Sequence, residues 1–359
     1  MRGGIKNLRI TFCGEITPTP YSEKNFTIHS NAFDGFSELI DKTDRLFAVV
    51  ASPFSKAERP AVYRGRARKS SPLSADFIKR SGFTDIALAG PHLLDYGKVG
   101  LEDTFSALER NALPFFGAGR NIHEAAEPYR FGDDSCSVSV IAVSDGCGLY
   151  QDPKDACVNV RTELEVLSAV RSEKERGATV VLLYGGGAAG SPYPSPRVFE
   201  FCTLMAESGA DVVICTGSEC IGGYIRHKGA HILFGQGPAH FIKRGESPCI
   251  GMAMTYDTDT RKAEFRALIP DHASARVRLS DKQENSMAVD YMKKCGSLLK
   301  GADRFSPWRQ YCEAVREIYS HVLLHPGDAE EELREEQIRF LLGNESTLDI
   351  VRELLSKQS

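Results

Sequence analysis

Short apolar runs rich in β-branched residues alternate along most of the chain with stretches whose apolar positions recur every three or four residues. LRITFCG, RLFAVVA, TDIALAG, LPFFGAG, CSVSVIAVS, ATVVLLYG, ADVVICTG, AHILFGQG, GMAMTYD and KAEFRALI have the length and composition of strands. Several end in glycine, where a chain can leave a sheet. Between them, Leu101, Phe105 and Leu108 mark one amphipathic helix. Val198, Phe201, Cys202 and Met205 mark another, with Ser195 as its N-cap and Pro196 in its first turn. Strands separated by covering helices predict an α/β domain.

After His272 the spacing reads as purely helical. Trp308, Tyr311, Cys312, Val315, Ile318, Tyr319 and Val322 fall on one helical face, and two more helices follow, the last ending in LDIVRELLSK. The run DAEEELREE opens one of them, where negative charge favours the helix N-terminus. The expected division is an α/β domain over 1–272 and a helical region over 273–359, whose aromatic stripe packs back on the same molecule.

The chain has 359 residues, 42% hydrophobic and 26% charged, with a formal charge of -4. That balance argues against a nucleic-acid partner, which calls for a basic face, and the cluster Arg64, Arg66, Arg68 and Lys69 reads as a solvated loop. No apolar run approaches the roughly 18 residues that span a bilayer, and the N-terminus lacks an apolar signal region. The expectation is no membrane insertion and a cytoplasmic location. Ten cysteines are scattered without a CxxC pair, which fits reduced, buried thiols and no structural zinc; Cys215 and Cys220 read as packing residues.

The stretch YGGGAAG, Tyr184 to Gly190, satisfies the spacing GxGxxG. A dinucleotide fingerprint needs its last glycines to open a helix at once, so that free N–H groups face the pyrophosphate. Here SPYPSP intervenes and postpones the helix to about Pro196, so the fingerprint fails on context.

The neighbouring segments give the loop another meaning. FTDIALAGPHLLDYGKVGLEDTFSALERNALPFFGAGRNIHEA, with CGEI before it and ESGADVVICTGSECIGGYIRHKGAHILF after it, resembles capsule-synthesis and poly-γ-glutamate-synthesis proteins of the CapA/PgsA type. The resemblance implies a metallophosphatase-like (calcineurin-like) α/β fold, a β-sandwich flanked by helices, with a C-terminal helical appendage. It also implies paired cations held by carboxylates, an amide and imidazoles at strand ends.

Most of those ligands are replaced. The family's opening Asp falls on Glu15, its Asn-Leu-Glu motif on Val49, Val50 and Ala51, and its Asn-Asn-His motif on Gly90, Pro91 and His92. The His-Trp-Gly-x-Glu-Tyr block falls on Tyr184 to Ala189, and the histidine-rich block on Cys215, Thr216, Gly217, Ser218 and Glu219. Against that resemblance, the glycine loop reads as a former metal-binding loop that leaves a wider, more apolar cavity. The expectation is a non-catalytic relative without metal or cofactor. It would bind a small molecule or polymer fragment in a pocket lined by Glu15, His92, Asp95, Tyr184, Gly185, Gly186, Gly217 and Glu219. The alternative is a phosphoesterase-like hydrolase in which Glu15, His92 and Glu219 hold one manganese, iron or zinc ion. The bland reading is a histidine bonded to Asp95 and two loop carboxylates.

Overall fold

The computed structural model describes residues 7–24, 32–61, 67–146, 151–243, 249–319 and 343–356. Arg64, Arg66, Val322 and the DAEEELREE run lie outside the described residues.

Two sheets stack face to face, and helices cover the outer face of each. The first has nine strands among the described residues. Its order is Phe33–Asp34, Arg276–Leu279, Lys262–Asp271, Gly251–Asp257, Arg9–Ile16, Arg45–Val50, Asp85–Ala87 and Phe115–Phe116, with Pro238–His240 also pairing with Arg9–Ile16. Arg9–Ile16 runs parallel to Arg45–Val50 and antiparallel to Gly251–Asp257. The second sheet orders Tyr224–His227, Ala230–Leu233, Val212–Cys215, Thr179–Gly185, Cys136–Ser144 and Tyr129–Asp133, with its four inner strands parallel. All ten runs identified from periodicity contain strands of these sheets.

Period-two alternation assigns each side chain to a layer. Val181 and Leu183 join Ile10, Phe12 and Phe47 in the core between the sheets. Their neighbours Val180, Leu182 and Tyr184 face outward against Val166, Val198 and Phe201 of the covering helices. Helix Pro196–Glu207 starts where its sequence signals put it, with the Ser195 hydroxyl accepting from the Val198 N–H.

Beyond His272 the spacing is not purely helical. One more strand, Arg276–Leu279, pairs with Lys262–Asp271 before the helical stretch begins at Lys282. RVRL alternates arginine with apolar residues over only four positions, too short a run to stand out without its pairing partner. Helix Lys282–Leu298 lends Met292 to the core between the sheets. Helices Ser306–Ala314 and Glu345–Ser356 meet in a small separate cluster of Trp308, Cys312, Ile350 and Leu354, together with Ala188 of the glycine loop.

Leu183 is fully buried between the sheets whereas Leu73 is 76% exposed. Leu183→Ala is expected to cost about 3 kcal/mol in urea denaturation, against under about 0.5 kcal/mol for Leu73→Ala.

Candidate functional site

The residues singled out from the sequence gather at the carboxyl ends of the parallel strands, where α/β sheets place their ligand crevices. The first strand carries Glu15 at an irregularity, with its pairing register to Arg45–Val50 shifting between Phe12 and Glu15. Gly14 takes φ +86° there, and a Cβ on it would come within 2.4 Å of the Gly237 carbonyl oxygen. Glu15 is therefore not a loop carboxylate. It sits buried at the end of a strand, and its Oε1 has no hydrogen-bond partner among the described residues. Burial pushes its pKa up to about 8; the nearby charge of Glu219 adds to the rise and Arg68 opposes it.

Arg68 organises the remaining polar groups. Its backbone N–H donates to Asp95 Oδ2 at 2.7 Å, its guanidinium donates to Glu219 Oε1 at 2.7 Å, and the same guanidinium lies 4.8 Å from the centre of the Phe241 ring. Asp95 Oδ2 also lies 2.7 Å from His92 Nδ1, the nitrogen that donates when the carboxyl is ionised. The expectation of a solvated basic loop is corrected at both described positions. Arg68 is part of the site, and Lys69 lies against the Tyr96 ring and donates to the Ala57 carbonyl. Glu219 itself has φ +55°, left-handed backbone that costs a residue with a side chain roughly 1 kcal/mol or more.

A cavity of about 450 Å³ opens above these groups. Of the expected lining residues, His92, Gly185, Gly217 and Glu219 face it, whereas Glu15, Asp95, Tyr184 and Gly186 are not on its wall. Arg68, Lys243 and the C-terminal residues Asn344, Ser346, Thr347 and Ile350 complete it. Tyr184 turns instead toward a second cavity of about 440 Å³, where its hydroxyl donates to Asp145 and accepts from Arg197 Nη1 at 3.1 Å.

The glycine loop lines the cavity at Gly185, Gly187, Ala188 and Ala189, but at Gly185 and Gly186 it leaves no open space. A Cβ on Gly185 would lie 1.7 Å from the Ala89 carbonyl oxygen, and one on Gly186 would lie 2.4 Å from the buried Tyr184 ring. Two helices hold the rest of the loop: the Gly187 N–H donates to Ser346 Oγ of Glu345–Ser356 at 2.8 Å, and the Tyr311 hydroxyl of Ser306–Ala314 donates to the Ala189 carbonyl at 2.8 Å. Gly185 and Gly186 are small because their surroundings are close, and the cavity wall carries charge. Cys215, just before Gly217, is a packing residue whose sulfur lies 3.6 Å from that of Cys202, both buried.

Among the described residues, no three His, Cys, Asp or Glu side chains converge in a way that could hold a metal ion, and Glu15, His92 and Glu219 are not such a group. Two participants escaped the sequence reading. Arg68 sits in a run of four basic residues within six positions, a pattern that usually marks solvent. The C-terminal helix carried a signal in Asp349, an acidic residue beside the apolar Ile350, Val351 and Leu354 and itself buried.

A model of the family described as "Bacterial capsule synthesis protein PGA_cap" matches residues 9–242. Capsule biosynthesis protein CapA of Bacillus anthracis is 26% identical over 143 residues, 38% of this chain and 35% of that protein. PGA biosynthesis protein CapA of Bacillus subtilis (strain 168) is 22% identical over 218 residues, 58% of this chain and 56% of that protein. The matches thus span between about a third and just over half the length of these relatives. A similar solved structure, a 5'-nucleotidase precursor from Thermus thermophilus, aligns over 79% of this chain and 57% of that one, with a TM-score of 0.39 and 11% identity. A likeness that loose carries no functional argument.

The Glu15 carboxyl keeps its proton to about pH 8 in the folded chain, against an ordinary value of 4.5. Its contribution to stability is fully present below that ordinary value and lost as pH rises through about 8, a change of at most roughly 5 kcal/mol. Replacing Glu15 by Gln is expected to flatten the fall in thermal midpoint between about pH 5 and pH 9. Equal slopes for the two proteins would contradict the buried, protonated carboxyl.

Proposed function

The chain belongs to the bacterial capsule synthesis protein PGA_cap family, and from that premise we propose that it is a metal-independent, non-catalytic member, a binding or regulatory module serving the synthesis of a capsule, poly-γ-glutamate or related cell-surface polymer. The observation that carries this reading is the Arg68 guanidinium, bonded to Glu219 and close enough to Glu15 to influence its ionisation. A fixed guanidinium repels a divalent cation and occupies the carboxylate the cation would need. Burial favours the protonated form of Glu15, so a cation binding there would have to displace that proton. His92 bonds Asp95 through Nδ1, which leaves Nε2 able to ligate, so the case against a cation rests on Arg68 and Glu15. This donor set does not fit a divalent ion, so no hydrolytic step is derived through one.

On this reading the cavity takes a small molecule or a fragment of polymer against its mixed polar wall. Cys13, Cys136, Cys202, Cys215, Cys220 and Cys295 are free thiols, which suits a reducing compartment, and a role in the cytoplasm is part of this reading. No helix among the described residues is long and apolar enough to cross a membrane.

One observation favours the alternative of a single-metal hydrolase. The unpartnered Oε1 of Glu15 is the kind of buried oxygen that a cation would satisfy. The two readings part on metal content. Protein purified without chelators, incubated with manganese, iron or zinc and desalted, is expected to retain far less than one equivalent of each. About one equivalent, lost on His92→Ala, would establish a metal centre and overturn the proposal.

A further inference from the structure

The helix Glu345–Ser356 reaches the cavity from the far end of the chain and holds on through a few identifiable contacts. Ser346 Oγ accepts from the Gly187 N–H at 2.8 Å and donates to Asp145. Asp349 accepts from the Ser195 hydroxyl at 2.6 Å and from Arg197 Nε at 3.0 Å. Ile350 and Leu354 pack with Trp308, Cys312 and Ala188 in a cluster separate from the three that hold the sheets together. These polar partners lie on the glycine loop, at the end of strand Cys136–Ser144 and at the start of helix Pro196–Glu207. Meanwhile Ser346, Thr347 and Ile350 form part of the cavity wall.

We propose that this helix is a latched lid. Asp349, clasped by Ser195 and Arg197, holds one wall of the cavity shut, and release of the clasp opens the cavity and frees the glycine loop while the two-sheet body stays folded. Cooperative units of a fold open at free energies set by their own contacts, and this unit has a small apolar cluster and a handful of hydrogen bonds where the sheets have extensive cores. An occupant touching both walls would bind the closed form better and so favour latching, and latching would favour the occupant by the same factor. The lid bears on the same cavity as the proposed function, but it depends on neither metal content nor the identity of the occupant. Its failure therefore leaves the metal test untouched.

Hydrogen exchange followed by mass spectrometry on the full chain tests the lid directly. In the native protein, amides of 346–356 are expected to exchange faster than those of Val180–Leu183; equal protection overturns the lid. In Asp349→Ala, exchange over 346–356 and over Gly187–Ser191 is expected to rise on the order of tenfold, with Val180–Leu183 unchanged. His92, with only 12% of its side chain exposed, is expected to react with diethyl pyrocarbonate several-fold faster in that variant. Leu354→Ala weakens the apolar grip without touching the polar clasp and is expected to give the same confined pattern. Unchanged exchange over 346–356 in both variants, or a rise shared equally with the sheet amides, would show that the helix is an inseparable part of the core and overturn the proposal.

Discussion

The guanidinium of Arg197 joins three parts of the chain that are far apart in sequence. From the first turn of helix Pro196–Glu207 it reaches Asp145 at 3.1 Å, the Tyr184 hydroxyl at 3.1 Å and Asp349 at 3.0 Å. Asp145 and Asp349 are both buried, and this one cation answers for both carboxylates, with Arg352 adding a longer contact to Asp349 at 3.4 Å. Burial still holds the Asp145 carboxyl above its ordinary value, against the pull of Arg197, Ser346 and Tyr184. The direction of Tyr184, the course of the glycine loop beside it and the seat of the C-terminal helix all follow from satisfying this group. Displacing Arg197 would leave the buried Asp145 without the cation that faces it.

That constraint changes what the glycine loop means. By comparison with the family's motif, small residues at 185 to 189 suggest that side chains were removed and space was left behind. In the folded chain the Ala89 carbonyl and the Tyr184 ring crowd Gly185 and Gly186, and the C-terminal helix walls the cavity that Gly187 faces. Charge shows the same kind of substitution. Arg68 places a tethered cation on Glu219, and the neighbouring Glu15 meets burial by keeping its proton. On the proposed metal-independent reading, Arg68 on Glu219 and the proton on Glu15 supply that neutralisation from within the chain.

The main strands and helices were legible because their signals are local. Alternation in ATVVLLYG and the Ser195–Pro196 start need no knowledge of the rest of the chain. The short strand Arg276–Leu279 was not legible, because it is a strand only by virtue of its partner Lys262–Asp271. The site divides in the same way. His92 beside Asp95 could be read from a three-residue spacing, and the pair does bond. Arg68 with Glu219, and Asp349 with Ser195, join residues more than 150 positions apart, which periodicity cannot report. Tyr184 and Gly186 were placed on the cavity wall by proximity in sequence. Tyr184 faces the other way, drawn by Asp145 and Arg197.

The most direct test of the claim that Arg68 stands in for a metal is anomalous diffraction. Crystals grown with excess manganese or zinc would be measured at the metal's absorption edge. The account predicts no anomalous peak at the strand ends and clear density for the Arg68 guanidinium on Glu219. A peak within coordination distance of Glu15 and Glu219, with Arg68 turned away, would contradict it.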